Sequence, residues 1–325
     1  MTSTTSFKKI LQSLAVTTLA LGVMSAQALT ISPARAEITG DPGETISDSF
    51  LLINEQNADQ TFYTSVENFD SQGETGTPNF TTSKEGLPAW IKVGDKVTLK
   101  KGERVKVPYS VVIPKDADAG GHFAAIFLST VPPSANESQV SVGAKVGMLV
   151  LLKVTGNVKE NGGLLTFVLK QGSKVLTSLP VDFVYRFKND GNDRVKPEGQ
   201  IVVKNMFGMT TAKVDANPSL GNVLPGSIRR YEVHLGDKEA PPPSAPFFEQ
   251  VTFQKNNFAV GLYFADITLK FGNAGSAMAT LTYFMFPWQL LTVVLVTVLV
   301  ILVLLATMLR RYNQWIIKQA RAAAK

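Results

Sequence analysis

Residues 46–69 read ISDSFLLINEQNADQTFYTSVENF, and they show the pattern that decides the fold. Two runs rich in Ile, Leu, Phe, Tyr and Thr flank a polar turn. In the second run Phe62, Thr64 and Val66 alternate with the residues between them, which lets one face of a strand pack inward. Similar short runs, separated by Gly, Pro, Asn or Asp every 8 to 15 residues, continue from Leu29 onward and predict an all-β fold. No stretch of a dozen residues ahead of the last apolar segment has a helical period, so we expect single-turn helices at most.

The strand pattern is interrupted by a seam rich in Gly and Asn near residues 156–163. Ahead of the seam, strands are predicted at 29–33, 34–38, 46–54, 61–69, 90–91, 97–99, 105–113, 122–130 and 140–154, with a polar loop over 70–86. After the seam, strands are predicted at 164–169, 180–189, 199–205, 211–214, 227–235, 251–253, 259–271 and 280–286. The sequence therefore predicts two tandem β-sandwiches, over residues 29–156 and 157–286. Pro108 lacks a donor N–H, so its strand should lie at a sheet edge or be bulged there.

The chain ends in an apolar segment, Leu290–Leu309, which has 20 residues without a charge, Gly or Pro, 15 of them Leu, Ile or Val. As a helix this segment would be about 30 Å long, the thickness of the hydrocarbon core of a bilayer. We predict a single transmembrane helix over residues 287–309. The tail, residues 310–325, carries five basic residues and no acid. This one-sided charge indicates a cytoplasmic tail and an extracellular body.

The N-terminal residues 1–28 have the features of a secretory signal peptide. Two lysines precede an apolar run from Ile10 to Val23, and Ala26-Gln27-Ala28 fits the small-x-small cleavage rule. The mature chain would begin at Leu29. The alternative, an uncleaved first span, is disfavoured because polar residues interrupt a run that is short for a span.

The formal net charge of +6 does not indicate a phosphate-binding surface. Of 32 Lys and Arg residues, two lie in the leader and five in the tail, which leaves 25 against 26 acidic residues outside the membrane. The excess charge is therefore a topology signal, and we expect no nucleic-acid partner. The chain has no Cys, so the exported domains must be stabilised by cores rather than by disulfides.

Three stretches of the first domain resemble the WxL-interacting protein family of bacterial surfaces. They are residues 29–69, GLPAWIKV over 86–93, and IPKDADAGGHFAAIFLS over 113–129. The resemblance implies a signal peptide, two immunoglobulin-like domains, a C-terminal span and a basic tail, in that order. It also implies a scaffold in which one domain contacts peptidoglycan and the other a surface protein. The second domain matches mainly through residues 258–271.

The candidate ligand contact is Gly120-Gly121-His122, because two glycines could expose the histidine. A strand-end histidine that bonds the backbone is the alternative. Asp116 and Asp118 resemble the start of a calcium loop, but Phe127 stands where the bidentate Glu should be, so we predict no metal and no cofactor. His234 should lie on a solvated face. The proline-rich residues 241–246 form either a stiff loop or a polyproline ligand.

These features favour a non-enzymatic, membrane-anchored extracellular protein that binds or scaffolds cell wall, surface proteins or both. The alternative is an assembly factor similar to pilus chaperones, because residues 29–69 also resemble the first strands of those proteins. Such chaperones are usually soluble, which counts against this alternative. An anchored hydrolase is a third possibility, but it requires a polar cluster that the sequence does not supply.

Overall fold

The computed structural model describes residues 29–83, 85–132, 145–236 and 240–323. The predicted signal peptide over residues 1–28 lies outside these ranges. The described residues form two compact units. The first contains residues within 29–68, 81–117 and 123–152, and the second contains residues within 69–80, 118–122 and 153–323. The domain boundaries at 156 and 286 remain predictions.

The first sandwich is built from two sheets. Its strands are β1 (Leu29–Ser32), β2 (Arg35–Gly40), β3 (Thr45–Asn54), β4 (Gln60–Gln72), β5 (Thr77–Thr81), β6 (Ile91–Val93), β7 (Lys96–Leu99), β8 (Arg104–Val112), β9 (Gly120–Ser129) and β10 (Lys145–Val154), with a one-turn helix α1 (Leu87–Trp90). One sheet has the order β1-β3-β8-β6, and the other has β2-β10-β9-β4-β5 with β7 also paired to β4. Pro108 keeps the regular register with β3, and the pairing of β6 ends at Tyr109. Of the two expected arrangements, a bulge is absent and β8 lies between β3 and β6; Pro108 itself is at a local edge, because no β6 residue pairs with it.

The second sandwich repeats this plan. Its strands are β11 (Gly162–Leu169), β12 (Val175–Leu176), β13 (Val181–Asn189), β14 (Glu198–Asn205), β15 (Thr210–Asp215), β16 (Ile228–Leu235), β17 (Gly261–Phe271) and β18 (Gly275–Met285). The sheets have the orders β11-β13-β16 and β12-β18-β17-β14-β15. Two helices follow the strand β16: α2 (Phe247–Asn256) and, after β18, the long α3 (Trp288–Ala323).

Both sandwiches have the strand order of immunoglobulin-like domains. The first strand of each sandwich is divided into two pieces that join different sheets, β1 and β2 in the first sandwich and β11 and β12 in the second. The last strand lies between the second of these pieces and the strand that precedes it in the chain: β10 lies between β2 and β9, and β18 lies between β12 and β17. The structure therefore confirms an all-β body of two tandem immunoglobulin-like sandwiches. It also confirms one C-terminal helix that is long and apolar enough to cross a membrane. This helix includes the stretch Trp288–Gln319, whose most apolar part is fully exposed.

Aromatic side chains fill the core of the second sandwich. Phe183, Tyr185 and Phe187 project inward from β13 and are fully buried. The ring of Tyr185 stacks on Tyr231 at 4.7 Å between centroids, and its hydroxyl donates to the carbonyl of Ala216 at 2.9 Å. Burial raises the pKa of the Tyr185 hydroxyl. This packing supplies the stability that a chain without cysteines cannot take from a disulfide.

A buried asparagine lies at the end of the equivalent strand in each sandwich, β3 in the first and β13 in the second. Asn54 is the last residue of β3 and Asn189 is the last residue of β13, and neither is exposed. Each side-chain NH2 donates to the carbonyl four residues on, and each side-chain oxygen accepts from the N–H two residues on. Each NH2 also reaches a distant loop, through Leu99 and Lys100 in one sandwich and Val223 in the other. The asparagine thus fixes a tight turn and joins two separate strands.

Two predictions ahead of the membrane segment are wrong. Residues 251–253 were expected in a strand, but Phe247–Asn256 is a helix and is longer than the expected single turn. The polar loop expected over 70–86 instead contains the end of β4 and the strand β5. The other predicted strands occur within the described residues, with end points that shift by a few residues. Residues 140–144 of the strand predicted over 140–154 lie outside the described residues.

We predict that Asn189→Asp destabilises the second sandwich by about 2–4 kcal/mol, because the variant loses both NH2 donors and leaves two buried carbonyls unpaired. Thermal unfolding of the full chain in detergent should show the loss. Asn54→Asp should have the same effect on the first sandwich. An unchanged unfolding temperature in both variants would contradict the structural role of this asparagine.

Candidate functional site

The predicted contact residues Gly120, Gly121 and His122 begin β9 and lie in the second unit. Gly120 has φ +125°, and a Cβ at this position would lie 2.3 Å from the backbone oxygen of Asn192. The N–H of Gly121 donates to that same oxygen at 2.8 Å. His122 Nε2 lies 2.8 Å from the carbonyl of Asp118. The glycines therefore allow the backbone of Asn192 to approach closely.

Asn192 extends this contact with its side chain. Its NH2 donates to the carbonyls of Ala119 and Asn157, and its side-chain oxygen accepts from the N–H of Lys159 at 2.6 Å. These bonds hold the start of β9 against the segment that begins the second sandwich. They account for the glycine pair without a ligand, and a role of residues 120–122 in ligand binding remains a prediction.

We predict that Gly120→Ala lowers stability without removing any binding group. The positive φ alone costs a non-glycine residue about 1–3 kcal/mol, and the methyl group would also clash with the Asn192 oxygen. Gly163→Ala is the matched control because no atom lies within 4 Å of its added Cβ. Equal melting temperatures of the two variants by circular dichroism would refute this account.

The charged groups do not assemble a catalytic centre within the described ranges. His234 Nδ1 lies 2.6 Å from Asp182 Oδ1 on the exposed face of β13 and β16, and no described Ser or Thr hydroxyl bonds either residue. The described residues contain no group of three His, Asp or Glu that could hold a metal ion. His234 thus lies on a solvated face, as predicted.

In the proline-rich loop, the N–H of Ala245 donates a hydrogen bond to the carbonyl of Pro242. This bond makes a turn that leads into α2.

The edge strand β16 is covered by the turn between β4 and β5, within the second unit. The N–H of Arg230 donates to the backbone oxygen of Glu74 at 2.7 Å. The Glu74 carboxylate also accepts hydrogen bonds from Nε and Nη2 of the Arg186 guanidinium. These bonds lower the pKa of Glu74. A Cβ on Gly76 would meet the Arg229 side chain. This turn therefore blocks the edge of β16 to further pairing.

The strand β15 is an edge of the other sheet of the second sandwich, and this edge is open. The N–H of Ala216 bonds the carbonyl of Gly199 at 2.9 Å, and the register pairs Val214 with Ile201. Bonding pairs alternate with non-bonding pairs in an antiparallel ladder, so the main-chain N–H and C=O of Lys213 and Asp215 point away from β14. Among the described residues these four groups have no hydrogen-bond partner. The side chains of both residues are exposed.

The second sandwich is joined to α3 by two residues only, Phe286 and Pro287. The side chain of Gln254 in α2 supports this junction. Its oxygen accepts a hydrogen bond from the N–H of Leu290 at 3.0 Å, and its NH2 donates to the Gln289 side chain. Gln254 is 1% exposed. It thereby satisfies one of the N–H groups that the first turn of any helix leaves without an internal partner.

We predict that Gln254→Leu loosens this junction, since the variant leaves the Leu290 N–H and the Gln289 amide without their partner, at a cost of about 1–3 kcal/mol. Amide hydrogen exchange of the full chain in nanodiscs should become faster at residues 286–291. Thr252→Leu, on the exposed side of the same helix, should leave exchange there unchanged. Equal protection in both variants would exclude a capping role for Gln254.

No family model matches the chain, and no curated protein matches it. Among solved structures, the chain is similar to the class 5 fimbriae chaperone CfaA, with 10% identity, a TM-score of 0.39, and coverage of 78% of this chain and 98% of that one. The E. coli chaperone DraB shows 10% identity, a TM-score of 0.34, and coverage of 79% and 97%. The Salmonella enterica SafA pilin in complex with the SafB chaperone gives 11%, 0.34, and coverage of 80% and 97%.

These identities and TM-scores are too low to assign a function or a partner. The resemblance to WxL-interacting proteins remains a prediction, because no family model and no curated protein matches the chain. The sequence could not single out β15 or Gln254. The open edge of β15 follows from the order of strands in the sheet, and the partners of Gln254 belong to a helix that begins at Trp288.

Proposed function

We propose that the chain is a membrane-anchored, non-enzymatic assembly factor that binds an extended segment of an exported polypeptide along β15. The observation that carries this proposal is the outward-pointing main chain of Lys213 and Asp215. An exposed strand edge can take up one further strand, with main-chain hydrogen bonds giving affinity and side chains giving selectivity.

The charges on β15 define the kind of segment that fits. Lys213 and Asp215 are both exposed on the same face of this strand, two residues apart. Lysine on an edge strand opposes indiscriminate pairing, whereas opposite charges directly across two strands stabilise them. The preferred segment is therefore extended, with an acidic residue opposite Lys213 and a basic residue opposite Asp215.

The anchor determines where this binding takes place. α3 is long and apolar enough to cross a bilayer, and Arg310 and Arg311 follow its most apolar part. The basic end favours a cytoplasmic tail, so the sandwiches would lie outside, as in the predicted topology. An exported polypeptide would then meet β15 as it leaves the membrane.

Lys213→Pro tests this function directly. Proline removes the outward N–H of residue 213 but no bond to β14, so the variant should fold. We expect it to lose most of its binding to extended peptides that carry Glu and Lys two residues apart, on the same face of the strand, measured by fluorescence anisotropy with the full chain in nanodiscs. Lys213→Ala keeps the N–H and should bind more tightly than the proline variant. Equal binding by both variants would refute strand addition.

The scaffold prediction places the binding site in the first sandwich and makes cell wall its ligand. If the first sandwich binds cell wall, the full chain in detergent should sediment with purified peptidoglycan, and raised salt should not release it, because the exported part is nearly neutral. Sedimentation that survives Lys213→Pro, together with no peptide binding, would favour the scaffold over the assembly factor.

A further inference from the structure

Ten of the exposed large apolar side chains of the second unit form a set that we call the collar. Its members are Met206, Phe207, Met209, Phe247, Phe248, Phe258, Val260, Phe284, Phe286 and Trp288. Phe207 and Phe248 are the most exposed, at 77% and 74%. Single exposed apolar residues are common on soluble proteins, but a group of this size indicates an interaction surface.

The sheet register places the collar at the end of the sandwich where α3 begins. Asn205 pairs with Tyr263, and Gly261 pairs with Met285, three residues ahead of Trp288. The turn that carries Met206 and Phe207 follows Asn205. A Cβ on Gly261 would lie 3.3 Å from the sulfur of Met206, so this turn lies beside the start of β17 and the end of β18.

The helix α2 belongs to the same end of the sandwich. The rings of Phe247 and Trp288 are 6.2 Å apart, and Gln254 bonds the first turn of α3. The turn after β14, the start of β17, the end of β18 and α2 therefore present their apolar side chains around the first residues of the apolar helix.

The outer face of the larger sheet changes from polar to apolar toward this end. In its middle, Asp266 accepts bonds from Lys204 and Thr280, and these contacts hold the pKa of its carboxyl below the usual value. Closer to α3, the corresponding outward residue of β18 is Phe284, which pairs with Leu262. The outward residues of β18 therefore become more apolar toward its C-terminal end, which leads into α3.

We infer that the collar is immersed in the interfacial layer of the bilayer, on the lipid headgroups and upper acyl chains that surround α3. This inference rests on the membrane anchor of the proposed function. Phe286 is four residues ahead of Leu290, so even an extended chain keeps it within about 13 Å of the start of the apolar stretch. Trp side chains such as Trp288 concentrate in this layer, and amphipathic elements with Trp, Phe or Leu on their apolar face penetrate it by about 5–10 Å.

Site-directed spin labelling tests the inference, because the chain has no cysteine of its own. The variants are Phe207→Cys in the collar, Met278→Cys on the same sheet at its polar end, and Val300→Cys in the middle of α3. Phe207 and Met278 are matched in exposure, at 77% and 72%. The labelled full chains are placed in nanodiscs of phosphatidylethanolamine and phosphatidylglycerol. Collision of each label with oxygen and with a water-soluble nickel chelate is then measured.

We expect the label at 207 to collide several-fold less with the nickel chelate than the label at 278, and more with oxygen, as lipid contact requires. Equal values at 207 and 278, with a lipid-like value at 300, would overturn the collar while the anchor stands. Low collision with both reagents at 207 would mean that protein covers the site, which also overturns the inference. A water-like value at 300 would reject the anchor and the proposed function together.

Discussion

The fold of both sandwiches depends on a buried amide that belongs to a turn and to a distant strand at once. Asn54 and Asn189 each offer two donors and one acceptor inside a dry environment, and each side chain has partners for both kinds of group. Such hydrogen bonds add only modestly to the free energy of unfolding, but a buried donor or acceptor without a partner lowers that free energy by more. Strand pairing out of register would leave these groups unsatisfied, so one asparagine per sandwich selects a single arrangement of two sheets.

The sequence predicted most of the strands because their alternation and their turn residues depend on near neighbours. It failed at Phe247–Asn256, where Val251, Thr252 and Phe253 favour a strand and no apolar face repeats with a helical period. That helix depends on contacts with the first turn of α3, through Gln254, and such contacts cannot be read from a local pattern. The strand β5 was missed for a related reason, since its polar residues Thr77–Thr81 gain their partner only from β4.

The candidate site residues show the same limit. A pair of glycines before a histidine is visible in the sequence, but the sequence does not show that Asn192, 72 residues after Gly120, occupies the space that the glycines leave. The open edge at Lys213 is also hidden, because the strand pattern shows which side chains point inward and not which main-chain groups lack a neighbour. Topology supplies that information.

The short junction at Phe286 and Pro287 has a mechanical consequence. The two-residue link between β18 and α3, together with the hydrogen bond from the first turn of the helix to Gln254, limits rotation of the second sandwich relative to α3. If α3 spans a bilayer and β15 binds a polypeptide, as proposed, a force on β15 would be transmitted to α3 and would change its tilt.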